Sequence, residues 1–225
     1  MEFVLIRPGS FLMGSEKGRA DEKPVAKVAI TKSFYFGKQE VTQEQWRAVM
    51  GSSPGYYKGT NLPVEQVSWN DCQNFLARLK EKVTGYQFSL PTEAQWEYAC
   101  RAGTTTEYSF GDGDANLGEY ARFTGNANRQ PHPVGEKKSN PRGLCDIHGN
   151  VWEWCQDWYG PYASGEISDP AGASSGSQQV IRGARDLGHL SASSLPPIFA
   201  SAASAYAWSC SNGDSAAWIS GEVSA

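Results

Sequence analysis

Thirteen residues, Asp146 to Trp158, hold three tryptophans (Trp152, Trp154 and Trp158) and three carboxylates (Asp146, Glu153 and Asp157), a density that ordinary composition seldom produces. Asp146 and Glu153 bracket a Gly149-Asn150 turn. Backbone carbonyls of such a turn can point the same way as the two acids, and a mixed set of hard oxygens suits calcium. The plainer alternative is a pair of acids that cap a turn inside a tryptophan-rich core. His132 and His148 lie in Pro- or Gly-flanked turns with no carboxylate spacing that would make them transition-metal ligands, so structural hydrogen bonding is their expected role. None of the three histidines has a motif that would set it beside an exposed nucleophile, so Ser-His-Asp chemistry is unsupported. The cysteines, Cys72, Cys100, Cys145, Cys155 and Cys210, are odd in number and form no C-x-x-C pair, which argues against a zinc knuckle or a full disulfide framework. They read as small buried hydrophobes.

The elements that must hold these groups announce themselves unevenly. Phe3 to Ile6, Phe11 to Met13 and Val25 to Ile30 read as short strands separated by a Pro-Gly turn and a charged loop. Three helices carry capping-box signatures: Thr42 with Gln45, Ser68 with Asp71, and Thr92 with Gln95. In the second, Trp69, Cys72, Phe75, Leu76, Leu79 and Val83 recur at helical spacing, while Arg78, Lys80, Glu81 and Lys82 make a solvated face. In the third, Trp96, Ala99 and Cys100 are expected to face inward. From Gly103 to about Ser177 the periodicity collapses into Gly, Asn, Asp, Pro and aromatic residues, which predicts an irregular but packed segment organised by something other than ladders. A strand is expected at Val180-Ile181.

With 225 residues, 40% of them hydrophobic, the chain can bury one sizeable core. Its net charge of −4, without a run of five like charges, recommends neither a nucleic-acid groove nor an anionic membrane. A protein or a small molecule is the expected partner. No stretch approaches the roughly 18 apolar residues of a membrane span, and the N-terminus carries no leader pattern, so the expectation is a soluble cytoplasmic chain.

Several segments, in this order, resemble the formylglycine-generating enzyme family, also called the sulfatase-modifying-factor domain: Pro8-Gly9-Ser10-Phe11-Leu12-Met13-Gly14-Ser15, Glu40-Val41-Thr42, Pro63-Val64 with Val67-Ser68-Trp69, and Leu90 to Ala99. His132-Pro133-Val134-Gly135, Asn140-Pro141 with Gly143-Leu144, and Gly149 to Trp154 follow. The resemblance covers residues 3 to 183 and implies an α+β fold, a variant of the C-type-lectin-like fold with little regular structure, stabilised by calcium. It places a calcium site on the side chains of Asp146 and Glu153 and the carbonyls of Gly149 and Val151. It also suggests a second site that begins at Asn116 and Leu117, for which no downstream aspartate matches.

The resemblance carries a chemistry that the residues do not. Copper(I) in the oxidising members sits between two cysteines spaced C-x4-C, shortly after Arg-Gly-Gly-Ser, because soft thiolates suit that ion. The corresponding place here reads Arg182-Gly183-Ala184-Arg185-Asp186-Leu187-Gly188-His189, with no cysteine until Cys210, so copper is not an expected cofactor. Iron-dependent sulfoxide-forming relatives place their histidines on an added helical domain without counterpart in this sequence. Two readings of the domain therefore stand, a calcium-stabilised family member without the copper pair, and a non-catalytic lectin-like module that recognises a ligand or protein through loops around Trp152 and the tail.

The tail itself, residues 184 to 225, departs from the first 183: it turns to Ala and Ser, and Lys and Arg end at Arg185. A shifted reading frame is one explanation, since Arg182 to Arg185 can then spell Gly-Gly-Ser and Trp218 to Gly221 can spell Asp-Phe-Arg. A variable ligand-binding surface and a disordered end are the others.

Overall fold

The computed structural model describes residues 1–183, 200–201 and 207–209. The frame-shift and disorder readings of the tail fall largely on residues outside these.

Strands β1 (Phe3–Ile6), β2 (Gly9–Met13) and β3 (Ala26–Ile30) form where expected, and β4 (Phe34–Gly37) returns along β1. All three capping boxes are made. Thr42, Ser68 and Thr92 each accept from the backbone N–H three residues on, and Gln45, Asp71 and Gln95 reach back to the cap, opening α1 (Gln43–Met50), α2 (Trp69–Lys82) and α3 (Glu93–Arg101). Cys72, Phe75, Leu76 and Leu79 make the buried stripe of α2, and its basic face is exposed, as its periodicity predicts. Trp46 of α1 stacks on Phe75 of α2, ring centroids 4.7 Å apart, which fixes the two helices against each other. Trp96, Ala99 and Cys100 of α3 face inward. After α3 the chain is mostly turn and bend, with β5 (Gln87–Ser89) before it and a single short helix, α4 (Leu117–Tyr120), within the irregular stretch.

That expectation of irregularity fails at one place that matters. Residues 152–158 form β6 (Trp152–Trp158), the longest strand described. Its inward positions alternate aromatic, acidic and thiol side chains in place of simple apolar ones, which hides the strand from a hydropathy pattern. β7 (Glu166–Ser168) adds a parallel edge to β3, and β8 (Gln179–Arg182) pairs antiparallel to β6.

Three sheets result, ordered β1-β4-β10-β5, β2-β3-β7 and β8-β6-β9. Two are extended by the C-terminal segments: β9 (Ala200–Ser201) adds a parallel edge to β6 at Trp152 and Glu153, and β10 (Ala207–Ser209) joins β4 to β5. One main core, including Phe36, Phe75, Leu90, Leu144 and Cys155, runs between sheets and helices. A satellite core of Tyr108, Leu117 and Ala121 sits under the irregular stretch.

Candidate functional site

The Asp146–Asn150 turn is built by backbone constraints that its sequence allows. Asp146 and Asn150 both adopt left-handed φ, 58° and 64°. The amide of Gly149 donates to the Asp146 carbonyl at 2.8 Å. A Cβ on Gly149 would lie 2.1 Å from the carbonyl oxygen of Arg122, so only glycine lets the turn press against that strand of chain. Asn140 anchors the approach: its amide donates to the carbonyls of Ala99 and Cys100 at the end of α3, and its oxygen accepts from the Leu144 amide.

Asp146 and Glu153 are both buried, at 2% and 0% exposure, and a third acid joins them. Glu40, between β4 and α1, is 1% exposed. One of its oxygens accepts from Asn150 Nδ2 at 3.0 Å, and the other, Oε1, is buried without a hydrogen-bond partner. Burial first, then the neighbouring charges of Asp146 and Glu153, hold Glu40 well above the usual carboxylate range. Burial likewise pushes Asp146 up to about 6, although the Gly135 amide donates to its Oδ2 at 2.6 Å. Neither Glu40 nor Asp146 is ion-paired among the described residues.

Glu153 receives the indole N–H of Trp96 at 2.8 Å. Gly183, with φ of 105°, leaves open a cradle beside it, because a Cβ there would be 3.0 Å from the Val151 carbonyl and 3.4 Å from Glu153 Cγ. Val151 O and the Glu153 side chain thus both border Gly183, and Glu40 feels the charges of both Asp146 and Glu153. No three His, Cys, Asp or Glu side chains among the described residues are placed to hold a metal by themselves, so a cation here would need backbone carbonyl oxygens as further ligands. That requirement suits calcium and disfavours zinc or copper.

Asn116 and Leu117 sit elsewhere. Asn116 is exposed at the end of a short 3-10 turn, and Leu117 packs into the satellite core. The positive charge beside them is a side chain: Lys137 Nζ donates to the Gly118 carbonyl at 2.5 Å. His148 and His132 both make hydrogen bonds within the fold. His148 is buried against Ser109 Oγ at 2.7 Å and Cys100 Sγ at 3.6 Å, and burial lowers it to about 4. His132 bonds the Ala127 carbonyl. Cys72, Cys100 and Cys155 are buried free thiols, Cys145 is half-buried, and Cys210 lies outside the described residues. Trp152 is 9% exposed, so its ring belongs to the core and cannot present a recognition face.

Beside the carboxylates lies an ion network of which sequence spacing shows only the Glu97–Arg101 pair, four residues apart on α3. Glu97 of α3, 5% exposed, accepts from the Gly14 amide and from Arg101 and is paired with Arg182 of β8. Arg182 also approaches Glu93 at 3.6 Å and lies over the Trp96 ring, 5.2 Å from its centroid. Burial works to raise Glu97, yet Arg182 and Arg101 hold it below the ordinary range. The network ties the β2 end, α3 and β8 together, and so fixes Trp96 over Glu153.

The chain is similar to known proteins. The family model described as "Sulfatase-modifying factor enzyme 1-like domain" matches residues 1–207. Among curated relatives, Chaperone protein LppX of Paenibacillus barcinonensis is 30% identical, with 70% of this chain and 72% of that protein covered. Formylglycine-generating enzyme of Streptomyces coelicolor is 37% identical over 64% of this chain and 48% of the enzyme. Serine/threonine-protein kinase pkn1 of Chlamydia caviae is 32% identical over 81% of this chain and 32% of the kinase. The chain therefore spans about half of that enzyme and about a third of that kinase. Of solved structures, Treponema denticola variable protein 1 superposes with a TM-score of 0.75 at 29% identity, covering 81% of this chain and 82% of that one. PvdO from Pseudomonas aeruginosa does so at 0.67 and 26%, covering 81% of each chain. The mixed α+β architecture, the buried Asp146–Trp158 block and a match over nearly the whole sequence agree: the chain belongs to the sulfatase-modifying factor enzyme 1-like family.

Proposed function

We propose that this is a calcium-stabilised formylglycine-generating-enzyme-like domain that works by recognition and does not perform the copper-dependent oxidation. The observation that carries the calcium part is Glu40: a buried carboxylate oxygen without a hydrogen-bond partner, in a cluster with two more buried acids, must take up a proton or be met by a cation, and a divalent ion would offset the three acids together. Asp146 and Glu153, with the Gly149 and Val151 carbonyls, would hold the ion, and Glu40 and Asn150 would support it from behind. Calcium supplies charge and coordination to such a site and no redox chemistry.

Copper(I) fits poorly. Of the cysteines at 72, 100, 145, 155 and 210, no two are separated by four residues, and burial pushes Cys100 up to about 12, far from a thiolate at neutral pH. The relatives themselves bear the names of an oxidising enzyme, a protein kinase and a chaperone, which supports a reading of the shared domain as a module used in different settings. Incubation with copper(I), oxygen and a cysteine-bearing sulfatase-type peptide is expected to give no aldehyde product. Multiple turnovers in that assay would overturn the non-catalytic reading.

A further inference from the structure

Two loops meet at the surface next to the carboxylate turn, residues 52–62 between α1 and α2, and residues 123–135. The first is wrapped on two buried polar side chains. Gln43 Nε2 donates to the Tyr57 carbonyl at 2.9 Å, and Glu65 Oε1 accepts from the Tyr57 amide at 2.9 Å. Both side chains are 0% exposed. The second loop is clamped by Asn150, whose side chain exchanges hydrogen bonds with the backbone N–H and carbonyl of His132. Two bonds then join the loops: Val134 N–H to the Asn61 carbonyl at 3.0 Å, and Tyr57 O–H to the Arg129 carbonyl at 3.0 Å.

What this base presents is exposed. Tyr56 is 69% exposed and meets Tyr57 edge to face, centroids 5.1 Å apart. Asn128 and Arg129 are consecutive left-handed residues, φ 50° and 58°, a conformation that side chains avoid unless the surroundings impose it, and such strain collects at binding surfaces. In a chain with 24 acidic and 20 basic residues, neither loop contains an aspartate or glutamate, while Lys58 and Arg129 add positive charge. Arg129 makes no ion pair among the described residues; the acids that border the patch are Glu44, whose amide bonds the Thr60 carbonyl, Glu136, which follows the second loop and pairs with Arg122, and buried Glu65, which lies under the first loop near Lys58.

We propose that Tyr56 and Arg129, on two loops locked together by Tyr57, form the docking surface for an acidic segment of a partner protein. A protruding tip cannot enclose a small molecule, which needs a concavity that buries most of its surface. A protein partner supplies its own pocket for the tyrosine ring, a residue type enriched at the energetic centre of interfaces, and the unpaired guanidinium selects carboxylates. Two cations are too few for a nucleic-acid backbone.

The assignment rests on the recognition reading above, and the experiment separates the two. Random peptides displayed on phage are selected on the immobilised full chain, and enriched clones are measured as synthetic peptides against the wild type, Tyr56→Ala, Arg129→Glu and, as a distant control, Lys80→Glu. The expected result is enrichment of Asp- and Glu-bearing peptides that bind Tyr56→Ala about 30-fold more weakly, lose most affinity for Arg129→Glu at low ionic strength, and bind Lys80→Glu unchanged. Enriched peptides that bind both loop variants like the wild type would remove this surface while leaving a recognition domain. No enriched peptide at all would count against both. Preference of the wild type for an acidic glycan array over every selected peptide would also overturn the proposal.

Discussion

Removing the guanidinium of Arg182 should expose how much the buried network contributes. Its side chain is about four-fifths buried, paired with Glu97 and close to Glu93. Arg182→Met keeps an apolar stem while leaving two carboxylates short of one cation. Stripping one partner from a buried pair costs about 3–5 kcal/mol. Because Arg101 still holds Glu97 at 2.8 Å, the low end applies, about 3 kcal/mol, or a fall of roughly 6–12 °C in melting temperature for a domain of this size. The pH dependence follows from Glu97, whose folded-state value lies below its unfolded one. Its contribution is complete above the unfolded value and disappears as pH falls through the folded value. The gap between wild type and Arg182→Met should therefore be widest above about pH 5 and should narrow towards pH 3. Urea unfolding followed by tryptophan fluorescence across that range measures it, and Glu97→Gln added to Arg182→Met should recover part of the loss. A variant within 0.5 kcal/mol of the wild type at neutral pH (an allowance of about the size of ordinary surface effects), or a gap that does not change with pH, would refute this account of the network.

Three further outcomes are expected. Gly149→Ala should destabilise the domain by at least about 2 kcal/mol, since its Cβ would meet the Arg122 carbonyl at 2.1 Å and the backbone would have to move; circular dichroism melts measure it, and an unchanged melt contradicts the packing. Asp157, buried at 3% exposure and raised to about 7 mainly by burial, should make stability fall as pH rises from about 4 to about 7, the opposite sign to Glu97; Asp157→Asn, which can still accept from the Glu93 amide, should flatten that slope in denaturation profiles. Tyr57→Phe should leave global stability nearly unchanged but speed amide exchange at residues 127–130, because its hydroxyl holds the Arg129 carbonyl.

Helices were the legible part of this sequence because their signals are local. A Thr or Ser with Gln or Asp three residues on satisfies backbone donors whatever the rest of the chain does, and Thr42, Ser68 and Thr92 all do so. Strand β6 was not legible, since the residues it buries include Glu153 and Asp157, whose partners, the Trp96 indole and the Glu93 amide, arrive from α3. Asp146 and Glu153 could be singled out by their spacing, but Glu40 could not, although it stands in the matched Glu40-Val41-Thr42 segment. Its role depends on a contact with Asn150, 110 positions away. The Arg182–Glu97 pair, 85 positions apart, escaped for the same reason. Trp152, which one of the two readings set in a recognition loop, is the first residue of β6 and is buried.

Calcium is the most direct test of the whole account. Purified chain stripped with chelator should melt lower than the same chain in calcium, and at a free concentration 100-fold above the dissociation constant the gain should be about 2.7 kcal/mol, or roughly 5–11 °C. Isothermal titration should show one site, lost in both Asp146→Asn and Glu153→Gln. A melting temperature indifferent to calcium and chelator, with no heat of binding, would contradict the claim that a cation compensates Glu40, Asp146 and Glu153.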